Sequence, residues 1–86
     1  MIYGNHSKRK GDIVQIYRWE TELLDRAARF YNVRPWCIDD MKFVIVLIDY
    51  NMRKIRIVPK NMHGDVFFVN LDDTSLMKVG SLADNI

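Results

Sequence analysis

The sequence predicts an α+β fold: one main helix packed on a three-stranded antiparallel β-meander, with a short C-terminal helix. Three observations carry that expectation. Apolar residues recur at helical spacing between Asp12 and Tyr31. A β-branched run and an alternating run, separated by a short turn, occupy Lys42 to Val58, and a third apolar alternation follows at Val66 to Leu71. The 86 residues suit one folding unit. It divides into a flexible basic arm, residues 1–11, and a single compact α+β domain, residues 12–86. An edge strand around Ile2 and Tyr3 is the alternative for the arm.

The helix is expected to start at Asp12, which forms a capping-box-like pair with Gln15. Ile16, Trp19, Leu23, Ala27 and Phe30 make one apolar row, and Glu22 with Arg26 and Asp25 with Arg29 sit four apart with the acid first. The firmest stretch is Glu20 to Tyr31. Ile13 to Trp19 also reads as a strand, because it is rich in β-branched residues. Pro35 disfavours helical geometry at Arg34, and Asn32 suits a left-handed cap, so the helix ends there and Trp36 to Asp40 becomes a connection.

Lys42 to Tyr50 and Arg53 to Val58 then form a hairpin. A two-residue turn at Asn51 and Met52 would set Ile48 opposite Ile55, Val46 opposite Ile57 and Asp49 opposite Lys54. That turn demands a positive φ at Met52, which favours glycine, so a four-residue turn is the alternative. Pro59 closes the second strand, and Asp73 or Thr74 caps a last helix running through Val79 to Gly80.

Composition narrows the function. One cysteine, Cys37, forms no disulfide within the chain, which suits a reducing cytoplasm. The longest apolar stretch, Phe43 to Ile48, is far short of a spanning helix, so a cytoplasmic protein without membrane contact is expected. His6, His63 and Asp65 could supply an acid and a base, and Cys37 a nucleophile, but no oxyanion or phosphate stabiliser accompanies them. No ligand cluster suggests a metal, and no glycine-rich loop suggests a nucleotide cofactor. The expectation is therefore a non-enzymatic protein without a cofactor.

The remaining signal is basic and aromatic. Net charge is only +2, yet residues 1–60 hold twelve bases against seven acids, and residues 61–86 hold Lys78 against Asp65, Asp72, Asp73 and Asp84. Lys8, Arg9 and Lys10 form a run, and Arg53, Lys54, Arg56 and Lys60 cluster along one strand. These seven are the candidate nucleic-acid or partner-binding residues, with Tyr3 or Tyr50 available to stack on an unpaired base. Arg18, Trp19, Arg34 and Trp36 are the candidate interface residues, since Trp beside Arg is typical of interface hot spots. A sheet face bearing Ile45, Leu47 and Val58 beside Arg56 would be covered by a second copy, so a homodimer is expected. Against these stand a solvated strand face and two tryptophans that simply complete the core.

The order helix, three strands, helix resembles that of double-stranded-RNA-binding domains. Those domains carry a basic run at the start of their last helix, where this chain has Asp72, Asp73, Thr74 and Ser75. In length and texture the chain also resembles the small accessory, host-takeover proteins of T-even-like bacteriophages. Several of these block host enzymes or defence systems, and one kind is a small basic inhibitor that neutralises a host ribonuclease toxin together with RNA. That resemblance implies a stoichiometric inhibitor or antitoxin-like regulator. It would occlude a host protein, such as a ribonuclease toxin or defence enzyme, acting with RNA in the host cytoplasm. A stand-alone RNA-binding regulatory module is the alternative.

Overall fold

A computed structural model describes residues 4–61 and 64–82. The elements are a 3-10 turn Asn5–Ser7, β1 Asp12–Ile16, α1 Thr21–Tyr31, α2 Pro35–Asp40, β2 Phe43–Asp49, β3 Lys54–Pro59, β4 Phe67–Asn70 and β5 Leu76–Ser81. The strands form one antiparallel sheet in the order β4-β3-β2-β1-β5. The class is α+β, but five strands and two short helices replace the expected three-stranded meander with one main helix. The expected His63, Ile2 and Tyr3 features lie outside the described residues.

Two segments expected to be helical are strands. Ile13 to Ile16 belongs to β1, the strand reading of that stretch, and Leu76 to Val79 belongs to β5. They pair with each other, Ile16 with Leu76 and Gln15 with Met77. That pairing joins segments far apart in sequence, which local periodicity cannot register. The Asp12 carboxylate caps no helix. It accepts the Arg9 N–H at 2.8 Å and meets Lys78 Nζ at 3.5 Å.

Asn32 ends α1 in the left-handed conformation, as expected, with φ 56°. Pro35 then starts a helix as well as stopping one, because its fixed φ suits the first helical position and its missing N–H has no partner to lose there. Trp36 to Asp40 is therefore helical rather than a plain connection. The apolar faces of these helices, Leu24, Ala27, Ala28 and Ile38, close over Val14, Ile16, Phe43, Ile45, Ile55, Ile57, Phe67, Val69 and Leu76 to make the core.

The β2–β3 hairpin is present. Ile48 lies opposite Ile55 and Asp49 opposite Lys54, but Ile57 faces Ile45 because a bulge at Val46 shifts the register. The extra residue sends Ile45 into the core and leaves Leu47 outside, so only part of the expected second face survives. The turn takes the four-residue form, with Arg53 carrying the positive φ of 56°. Met52 N–H donates to the Asp49 carboxylate at 2.9 Å.

The chain passes from the β4 edge to the β5 edge through residues 71–75 alone. Six Cα steps reach about 20 Å, roughly the width of a flat five-stranded sheet, and these strand ends lie at opposite ends of the sheet as well. A flat sheet could not be joined this way, so the sheet rolls until its two edges approach. The buried side chain of Asn5 sits where they meet. Its Nδ2 donates to the Asn70 carbonyl at 2.7 Å and to Ser75 Oγ at 3.0 Å, and its Oδ1 accepts the Leu76 N–H at 3.1 Å. Asn5 N–H adds a bond to the Asp73 carbonyl at 2.8 Å. The segment read as an arm is thus fastened at Asn5.

Candidate functional site

An open groove of about 510 Å³ runs between α1 and the exposed edge strand β4. This lies within the range of about 300–1,000 Å³ usual for ligand sites. Arg26, Arg29 and Phe30 enter it from α1, Phe67 and Phe68 from β4, and Lys54 from the start of β3. Helical spacing explains the first set, since residues three and four apart share a face. Strand alternation explains the second: Phe67 is turned to the core side and buried, while Phe68 is 48% exposed, as is Phe30.

The rings form a connected set. Phe30 lies 5.3 Å from Phe67 between centroids, and Tyr31 lies 4.9 Å from Phe30, edge-on. The Arg26 guanidinium stands 5.2 Å above the Phe67 ring and donates to the Phe68 carbonyl at 3.0 Å. That contact blocks one acceptor of the sheet edge and fixes α1 against β4. On the other side of β4's pleat Arg56 stands 5.5 Å from the Phe68 ring, its Nε buried and without a hydrogen-bond partner.

The groove is electrostatically one-sided. Three cations line it, and among the described residues no carboxylate does. Glu22–Arg26 and Asp25–Arg29, expected to pair along α1, do not close to salt-bridge distance, and Arg29 and Lys54 have no salt bridge among the described residues. A neighbouring cleft of about 260 Å³ shares Arg26 and Lys54 but is lined by Glu20, Glu22 and Asp73. On that side, therefore, the cations are no longer unopposed.

The residues singled out from sequence are dispersed. Lys8 folds back, its Nζ donating to the Gly4 carbonyl at 3.2 Å and Ser7 Oγ at 3.1 Å. Burial pushes its pKa below the ordinary lysine value, with Asp12 opposing and Lys78 adding to the fall. Arg9 and Lys10 are exposed on the approach to β1. Arg53 is committed to Asp72: its Nε donates at 2.7 Å, its Nη2 also bonds the carboxylate, and His6 Nε2 meets Asp72 Oδ1 at 2.9 Å. The Arg53 hydrogen bonds, and then that of His6, hold the Asp72 carboxyl well below the usual carboxylate range; Asp72 in turn raises Arg53. Lys60 lies beyond the opposite end of β3 from Lys54. Of the seven cations, Lys54 lines the groove and Arg56 flanks it.

Both indoles are exposed, each at 67%, so neither completes the core. Trp19 stacks on Tyr17 with centroids 4.4 Å apart, beside exposed Arg18, and Arg34 stands 5.7 Å over the Trp36 ring. Sequence reasoning missed Arg26, Arg29, Phe30, Phe67 and Phe68 as a site. The signal was there in the adjacent phenylalanines 67 and 68: on a strand, one of two neighbours must face away from the core.

Cys37 is exposed, and among the described residues no group of three or more His, Cys, Asp or Glu is gathered as a metal would require. Among the same residues no helix is long and apolar enough to cross a membrane. No family model, curated protein or solved structure matches the chain.

Proposed function

We propose that this protein is a stoichiometric, non-enzymatic binding module and that its ligand is RNA, held in the groove between α1 and β4. The observation that carries the reading is the lining itself: Arg26, Arg29 and Lys54 over Phe30, Phe67 and Phe68, with no carboxylate among them. Polyanion backbones bind such cations with release of counterions, and exposed rings accept bases that are not already paired. Unpaired bases are common in folded RNA, which is why RNA is named rather than duplex DNA. In the cell, occupancy of the RNA would exclude or recruit other factors, which is regulation by occlusion.

Binding of a fluorescently labelled RNA, titrated at several salt concentrations, tests this. Affinity should fall as salt rises, and the combined variant Arg29→Ala, Lys54→Ala should flatten that dependence. An RNA affinity too weak to detect at low salt removes the proposal.

A second reading, occlusion of a host protein, is favoured by the exposed Tyr17–Trp19 stack and the Arg34–Trp36 pair. Exposed Trp beside Arg is the composition of interface hot spots. A tagged copy should then retain one protein from lysate after ribonuclease treatment, and Trp19→Ala or Trp36→Ala should release it. Retention that disappears with ribonuclease assigns the interaction to RNA instead.

A further inference from the structure

The groove's shape and its charge boundary specify more than a polyanion. Resting on the RNA reading, we infer that the site takes one unpaired nucleotide of a single strand, its base against the exposed rings of Phe30 and Phe68 and its phosphate toward Arg29 and Lys54. Two observations lead there.

First, Phe30, Phe67 and Phe68 are among the six residues that line the concavity. In a duplex the base faces are stacked on one another and unavailable, so a duplex would offer phosphates to the cations and leave the exposed rings without a stacking partner. A splayed base offers a flat apolar face that matches Phe30 and Phe68, each about half exposed. Phe68 is held in place from its other neighbours, by Arg56 against its ring and by Arg26 on its carbonyl, so the stacking surface is preorganised.

Second, the positive surface is bounded by carboxylates on one side. Beyond Arg26 and Lys54 the adjoining cleft carries Glu20, Glu22 and Asp73. A second phosphate continuing in that direction would meet carboxylates, whose repulsion offsets the attraction gained at the shared cations. The acidic cleft thus ends the track on that side, and with Arg26 already bonded to the Phe68 carbonyl the remaining lining cations, Arg29 and Lys54, suit one or two phosphates. A long basic groove that follows a strand over many nucleotides has no such stop.

The test uses the full chain with two labelled probes, an unstructured single-stranded RNA octamer and the blunt duplex of the same sequence, across a salt series. The single strand should bind more tightly than the duplex at every salt concentration. Phe68→Ala should weaken single-strand binding about 5- to 150-fold, the range expected for one stacked base, while leaving the salt slope unchanged. Phe68→Tyr keeps a stacking face and should restore binding, which separates loss of stacking from loss of fold. The slope for the parent should be shallow, about −0.7 to −1.4 for one or two single-strand phosphates. Equal affinity for both probes, with no effect of Phe68→Ala, overturns the single-nucleotide inference and leaves the charge-based RNA reading standing. Absence of binding to either probe at low salt overturns both.

Discussion

Leu76 donates its backbone N–H to the side-chain oxygen of Asn5 at 3.1 Å, joining two residues 71 positions apart in the chain. The same side chain holds Asn70 and Ser75, so a single buried amide fastens the last residue of β4 and the first of β5. It explains how a five-residue crossover can link opposite edges of the sheet.

Asn5→Ala removes this staple and leaves the buried Leu76 N–H without its partner. An orphaned buried donor costs about 1–3 kcal/mol, and the lost bonds add to it, so a fall of about 2–4 kcal/mol is expected in urea denaturation. Asn5→Asp should be worse than a neutral truncation of similar size, because its second oxygen would face the Asn70 carbonyl where an N–H now donates. A melting curve unchanged by Asn5→Ala would show that the crossover is held by other contacts.

Asp72 gives the fold an acid sensitivity of known sign. Its folded pKa is depressed, chiefly by the Arg53 hydrogen bonds and then by His6. A depressed carboxyl stabilises the folded state above its unfolded value of about 3.9, and that contribution is lost as pH falls through the folded value. Asp72→Asn should therefore melt below the parent at pH 7, and the gap should close steadily as pH drops below about 4. Because the pair is exposed, the gap at pH 7 will be modest and will shrink in high salt.

Gly64 lies beneath Tyr31. A Cβ at Gly64 would come within 2.9 Å of the ring carbon Cε1 and 3.1 Å of the Pro59 ring. Tyr31 has little room to yield, since its ring packs beside Phe30, Phe43 and Phe67. Gly64→Ala should destabilise by about 1–3 kcal/mol, the usual penalty of overpacking.

The Tyr31 hydroxyl donates to the Asp65 carbonyl at 2.8 Å, and burial, with Asp65 adding to it, pushes the phenol up to about 12. An ultraviolet titration compared with that of Tyr31→Phe should show the Tyr31 phenol ionising near that value. A raised phenol contributes stability that is complete below its unfolded value near 10 and is lost as pH rises toward 12. Tyr31→Phe should therefore remove part of the alkaline sensitivity between those two values.

The cations should separate by role. Arg29→Ala and Lys54→Ala should each make the salt slope of RNA binding shallower, by up to about 0.7. Arg53→Ala should leave that slope unchanged, because its guanidinium is already satisfied by Asp72. Equal effects at all three positions would mean a diffuse basic surface and no defined groove.

Local pattern was enough to read the β2–β3 hairpin and the end of α1, because β-branched density and an asparagine cap act within a few residues. It failed where the answer lies across the chain. Ile13, Val14 and Ile16 fit a helix stripe as well as a strand, and only pairing with Leu76 to Ser81 decides between them. Asp73, Thr74 and Gly80 looked like the two ends of a helix, yet the space above Gly80 is occupied by Ile13, whose Cδ1 would touch a Cβ there at 3.7 Å. The Val46 bulge turned Ile45, though not Leu47, from the outer face to the core for a related reason: an extra residue in one strand leaves no mark in the alternation of its partner. The basic residues were legible as a composition. Their division between Asp72, the Gly4 carbonyl and the groove depends on neighbours that spacing does not name.

The fastening of residue 5 to residue 76 also has a consequence for biosynthesis. A ribosome releases the amino-terminal turn long before β5 emerges, so the helices and the first four strands must wait with β1's outer edge unpaired and Asn5 without its Ser75 and Leu76 partners. Closure over such a separation is slow compared with local hairpin formation, and an open edge invites pairing with other nascent chains. Interruption of synthesis before Leu76 would therefore yield a product prone to aggregate, and chaperone dependence should be concentrated in that interval.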